Sequence, residues 1–154
     1  MDADRVYATG ISNGADMSFR AAVEATGVFA AIGPVSGGFG GPRVQATDFV
    51  PRKPVSVLTI IGGRDQYYDI FQAGLKTWRE RLNCEPVKTA PSGKETVRRS
   101  SARCADGSDV EVYVVTDMGH RWPGAQNGQM AKPDAPIVAT DILWDFFATH
   151  PRIR

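Results

Sequence analysis

The chain has 154 residues, 42% of them apolar and 23% charged, which is enough for one globular domain with a real core and excludes a disordered tail. Eighteen Lys plus Arg against 17 Asp plus Glu leave a net charge of +1, too weak a field to concentrate nucleic-acid phosphates or anionic lipid, so neither is an expected partner. The longest apolar run, 55–61, is interrupted by Ser56 and Thr59 and falls far short of the roughly 20 residues that a membrane span needs.

In chain order, Met1-Asp2-Ala3-Asp4-Arg5 opens acidic, so no export signal is visible in this chain. Residues 5–9 then read as a short β-strand, 10–14 as a very tight turn and 12–25 as a helix stopped by Gly27. Two apolar strands follow at 29–35 and 55–61, both continuous enough to be buried on two faces, with a long Gly- and Pro-rich loop, 37–53, between them. A loop of that length over a parallel sheet is often functional, with a surface excursion of no role as the equal alternative. Phe71, Leu75, Trp78 and Leu82 form one stripe of an amphipathic helix over 71–82. Segments 96–103 and 110–116 flank Asp106-Gly107 and read as a hairpin, and 135–149 reads as the last helix. This alternation predicts an α/β fold, a mostly parallel sheet with flanking helices, in one domain spanning 1–154. Cys84 and Cys104 have no metal-ligand spacing; count and spacing leave a disulfide and two unrelated thiols equally open.

Gly10-Ile11-Ser12-Asn13-Gly14 matches G-x-S-x-G, the turn that sets a nucleophilic serine between a strand and a helix. The five letters would arise by chance in roughly one chain of this length in ten, so the strand before and the helix after carry much of the weight. The alternative is an ordinary helix-capping serine. In the elbow, Ser12 sits at a helix N-terminus and the Asn13 backbone N–H serves as one oxyanion donor. A serine nucleophile needs a base and a group to orient it. Of the two histidines, His120 lies in the loop after an apolar strand, where sites form in parallel sheets, whereas His150 reads as a solvated cap of the last helix. Asp65, in the turn after the strand 55–61, fits the chain order Ser, acid, His better than Asp69 or Asp117. Trp122, Tyr67 and Tyr68 are candidates to line a substrate pocket, with packing under loops as the alternative. This chemistry calls for no metal or organic cofactor.

At these residues the chain resembles the polyhydroxybutyrate depolymerase family of esterases, α/β-hydrolases that include feruloyl-esterase-like members. The matching stretches are Asp4 to Met17 around the elbow, Phe29-Ala30-Ala31-Ile32 with Pro34-Val35-Ser36-Gly37, Gly62 to Asp65, Trp78 with Asn83-Cys84, and Gly119-His120 with Trp122-Pro123-Gly124. The resemblance implies hydrolysis of carboxylic esters, polymeric or small, by Ser12, Asp65 and His120, a secreted setting, and a Cys84 to Cys104 disulfide. The chain departs from the family at Ile61-Gly62, where a histidine often precedes the glycine, and at Gln66-Tyr67-Tyr68-Asp69, where a longer segment with proline is usual. It corresponds to roughly the C-terminal half of the family's domain, so that Met1 reads as an internal position of a longer frame. Two expectations follow: a sheet edge left bare at strand 5–9, which favours a homodimer, and, as the alternative to an active hydrolase, a catalytically silent half-domain that needs the missing half or a partner chain.

Overall fold

The structure is a computed structural model and describes residues 1–89 and 95–154. The chain forms β1 (Tyr7–Ile11), α1 (Asn13–Glu24), β2 (Ala31–Val35), a short 3-10 turn (Pro42–Gln45), β3 (Ser56–Gly62) and α2 (Tyr68–Arg81). β4 (Glu85–Val87), β5 (Val97–Arg103), β6 (Asp109–Val115), β7 (Trp122–Pro123), β8 (Ala131–Lys132) and α3 (Ala139–Thr149) complete it. Six strands make one sheet in the order β1-β2-β3-β6-β5-β4, and β7 pairs with β8 separately. β1, β2, β3 and β6 are parallel, while β5 and β4 continue antiparallel. The fold is α/β, with a mostly parallel sheet flanked by helices.

Every residue of β2 and β3 is buried, because each strand is covered on both faces. On one face Phe19 of α1 and Phe71, Leu75 and Trp78 of α2 pack over Ile32, Val57 and Ile61. On the other, Leu143, Phe146 and Phe147 of α3 cover Ala31, Val35, Leu58 and Ile60. The stripe expected on α2 is the face it buries, although the helix begins earlier, at Tyr68. The final helix begins later than 135, at Ala139, since Pro136 lacks the N–H a helix interior requires. The hairpin forms as expected, with Gly107 at φ 88° in its turn.

Cys84 and Cys104 are joined by a disulfide that ties the end of α2 to the end of β5. The long loop is anchored: Phe39 is buried, 5.0 Å edge-on from Trp78, and Arg81 of α2 donates to the carbonyls of Val44 and Phe49. His150 is not a solvated cap. Its Nδ1 meets the Phe146 carbonyl at 2.7 Å and its Nε2 meets Asp109 at 3.1 Å, with the ring stacked on Phe146, so it pins the end of α3 to β6. Among the described residues no helix is long and apolar enough to cross a membrane.

Candidate active site

Ser12 follows β1 directly and precedes the first residue of α1, at φ 56° and ψ −119°. A non-glycine residue there stores on the order of 1–3 kcal/mol of backbone strain. Gly10 makes the turn possible, because a Cβ at that position would come within 2.6 Å of the Gly14 carbonyl carbon. The Ser12 N–H is held by the Val35 carbonyl at 3.0 Å, which registers the turn against the end of β2. The Ser12 side chain makes no capping bond to α1, so the helix-capping alternative fails and the hydroxyl is left for the adjoining cleft. Asn13 opens the helix, and its N–H has no intrahelical carbonyl to meet.

Asp65 lies in the turn between β3 and α2, and its carboxylate is fully shielded from solvent. Burying a carboxylate is costly unless it is hydrogen-bonded. Here Oδ1 accepts from the Tyr67 N–H at 3.0 Å, and Oδ2 meets His120 Nδ1 at 2.7 Å. A carboxylate can only accept, so this bond assigns the proton to Nδ1 and leaves Nε2 as the basic nitrogen of a ring that lines the cleft. The loops carrying the pair are locked together by Gly63 N–H to Val115 O at 2.8 Å and Arg64 N–H to Met118 O at 2.9 Å. Asp69 is an exposed first-turn residue of α2, and Asp117 pairs with Arg64 at the surface. Neither is ion-paired with His120, whose carboxylate partner is Asp65.

Ser12 and His120 face a common cleft of about 320 Å³, walled by Tyr67, Ile70 and Phe71 of the α2 end and by the start of the long loop, Gly38 to Gly41. The Tyr67 ring stands edge-on to His120 at 5.7 Å. Tyr68 and Trp122 do not line this cleft. Consecutive helical residues point about 100° apart, so Tyr68 turns toward the core while its hydroxyl accepts from Arg98. Trp122 is held in the β7–β8 pair, packs on the α3 side of the sheet and donates to Thr140.

No family model matches the chain. It is 28% identical over 172 aligned positions to "Putative esterase NocK" of Nocardia uniformis subsp. tsuyamanensis, an alignment covering 92% of this chain and 48% of that protein. The chain is similar to an esterase. It spans about half the length of NocK. A shorter match, 31% over 78 positions, covers 46% of the chain but 6% of the "DNA-directed RNA polymerase subunit beta'" of Nitrosomonas eutropha (strain DSM 101675 / C91 / Nm57). The α/β sheet agrees with an esterase-like relationship, and that relationship stops short of any particular esterase family.

Two residues that sequence reasoning did not single out also shape the cleft. Ser36 is fully buried at φ 48°, and its hydroxyl donates to the carbonyl of Arg121, the neighbour of His120, at 2.8 Å. Asp16, on the first turn of α1, accepts the Gly38 N–H at 2.8 Å and fixes the loop beside Ser12. Both lie within stretches that carry the family resemblance, Asp16 beside the elbow and Ser36 just after β2, but neither was given a role there.

Proposed function

We propose that the chain carries the catalytic centre of a serine ester hydrolase. The observation that carries the reading is the buried Asp65 to His120 bond of 2.7 Å, in a ring facing the cleft that the uncapped Ser12 hydroxyl also faces. Ser12 Oγ attacks the ester carbonyl as His120 Nε2 takes its proton, and the N–H of Asn13 stabilises the oxyanion at the α1 N-terminus. The carbon–oxygen bond to the alcohol breaks as His120 returns the proton to the leaving oxygen, which frees the alcohol and leaves an acyl-enzyme. Water, deprotonated by His120, then cleaves the acyl-enzyme to a carboxylate. Asp65 holds the imidazole in the required tautomer throughout. The 28% likeness to an esterase supports the same reaction class. Carboxylic esters, polymeric or small, are the proposed substrates, and the disulfide favours an oxidising, extracellular setting.

The test is labelling of the purified chain with a fluorophosphonate, with Ser12→Ala as control and the modified peptide located by mass spectrometry. Labelling at Ser12 that vanishes in the variant is expected. A folded sample that stays unlabelled overturns the reading in favour of a catalytically silent chain.

A further inference from the structure

Asp16, Arg20 and Glu24 recur every fourth residue and stand on one ridge of α1, whose N-terminus adjoins Ser12, the proposed nucleophile. Beside the cleft, along this ridge, lies a second lobe of about 390 Å³ whose lining shares Asp16, Phe39, Gly40 and Gly41 with the first. Its aromatic side is the stacked pair Phe39 and Phe49, with ring centres 6.0 Å apart. Its far side is cationic: Arg20 and Arg43 both line it, and each binds a different oxygen of Glu24, at 3.0 and 2.6 Å. With Asp16 also on this lobe the four groups balance in formal charge, but two guanidiniums sharing the one Glu24 carboxylate keep several N–H donors undirected at the far side, away from Asp16.

We propose that this lobe is an acyl subsite for esters whose acyl chain ends in a free carboxylate. The inference rests on the ester-hydrolase reading and names the substrate class of the same site. The direction follows from the chemistry: the alcohol must leave beside His120, which protonates it, and His120 does not line the second lobe. The chain entering that lobe is therefore the acyl chain. Arg20 lies two helical turns, about 12 Å, beyond Ser12 along α1. Once the length of the arginine side chain is subtracted, a medium-length diacid monoester spans the gap, its methylenes running past the half-buried Phe49 side of the stacked pair. Asp16 stands between and repels a carboxylate placed too near the scissile carbonyl, so the subsite selects for length as well as charge.

The test compares 4-nitrophenyl hexanoate with mono-4-nitrophenyl adipate, whose acyl chain is as long but ends in a carboxylate. The kcat/KM ratio should favour the adipate ester about tenfold, in keeping with a pair of charge-assisted hydrogen bonds at a partly exposed site. It should fall to one or below in the double variant Arg20→Gln, Arg43→Gln, where Asp16 and Glu24 remain, and toward one in 0.5 M salt, where screening is strong. Glu24→Gln removes the competing carboxylate and should raise the ratio, which gives an opposite-signed result if the arginine variant folds poorly. A turnover-free measurement separates this inference from the reaction itself: calorimetry on Ser12→Ala with monomethyl adipate and methyl hexanoate. Tighter binding of the adipate ester, lost in the arginine variant, upholds the subsite even if neither nitrophenyl ester is cleaved. Equal Kd values, or tighter binding of the hexanoate, overturn it.

Discussion

Ser12 combines a strained backbone with a side chain that its own helix does not use, and the strain is tolerated because neighbouring backbone leaves no alternative. Gly10→Ala would drive a methyl group into the Gly14 carbonyl and should cost on the order of 2–3 kcal/mol in urea unfolding, the range of an overpacked interior. Asp65→Asn keeps the shape of the site but no longer requires the proton on Nδ1. By analogy with established triads, it should lower kcat roughly 10⁴-fold with little change in melting temperature. Ser36 separates strain from bonding. Ser36→Ala and Ser36→Gly both remove the bond to the Arg121 carbonyl, at about 0.5–1.5 kcal/mol, but the glycine relieves the positive φ and should be the more stable of the two by about 1 kcal/mol in thermal melts. The proposed nucleophile, acid and base could be picked out as candidates because each sits at a strand end beside a turn motif. Ser36 and Asp16 could not, since their partners lie 85 and 22 positions away and no local pattern records such contacts.

Elements with a strong periodicity were readable, and those held by distant partners were not. The α2 stripe and the Asp106-Gly107 hairpin declare themselves through their own spacing, whereas β4, β7 and β8 are two or three residues long and exist only through the strands beside them. The register of the disulfide could not be read from count and spacing, because pairing depends on α2 and β5 ending side by side. Closing 20 positions, it should stabilise the fold by about 2–4 kcal/mol, measured as the loss on reduction or in Cys84→Ser, Cys104→Ser. On β6, desolvation raises the Tyr113 phenol above its ordinary value of 10.0, against a smaller opposing effect of Arg99. The folded state thus favours the protonated phenol. Its stabilising contribution is complete below pH 10 and is lost as pH rises from the unfolded toward the folded value. Tyr113→Phe should therefore flatten the fall of stability above pH 10 in alkaline denaturation.

Across the whole molecule, the two edges of the sheet differ. At one edge β4 is three exposed residues with a central proline, a strand too short and too poor in donors to recruit another. At the other, β1 pairs with β2 alone among the described residues, and its five positions carry neither charge nor proline. Association through β1 is the expected outcome: sedimentation over a hundredfold range of concentration should show a species of twice 16.7 kDa growing in, while a constant 16.7 kDa would mean that this edge stays blunted.

The site also has a history within each folding event. Asp65 and His120 are 55 positions apart, and they meet only because β3 and β6 lie side by side in parallel. Parallel pairing over such a separation is slow, because the entropy of closing the intervening chain is lost before any contact returns it. The β5–β6 hairpin is local and can form early, but β6 must then find β3 before the imidazole has its acid. The Asp65 to His120 bond that the proposed mechanism needs therefore forms late, and on a ribosome Ser12, the proposed nucleophile, emerges long before it.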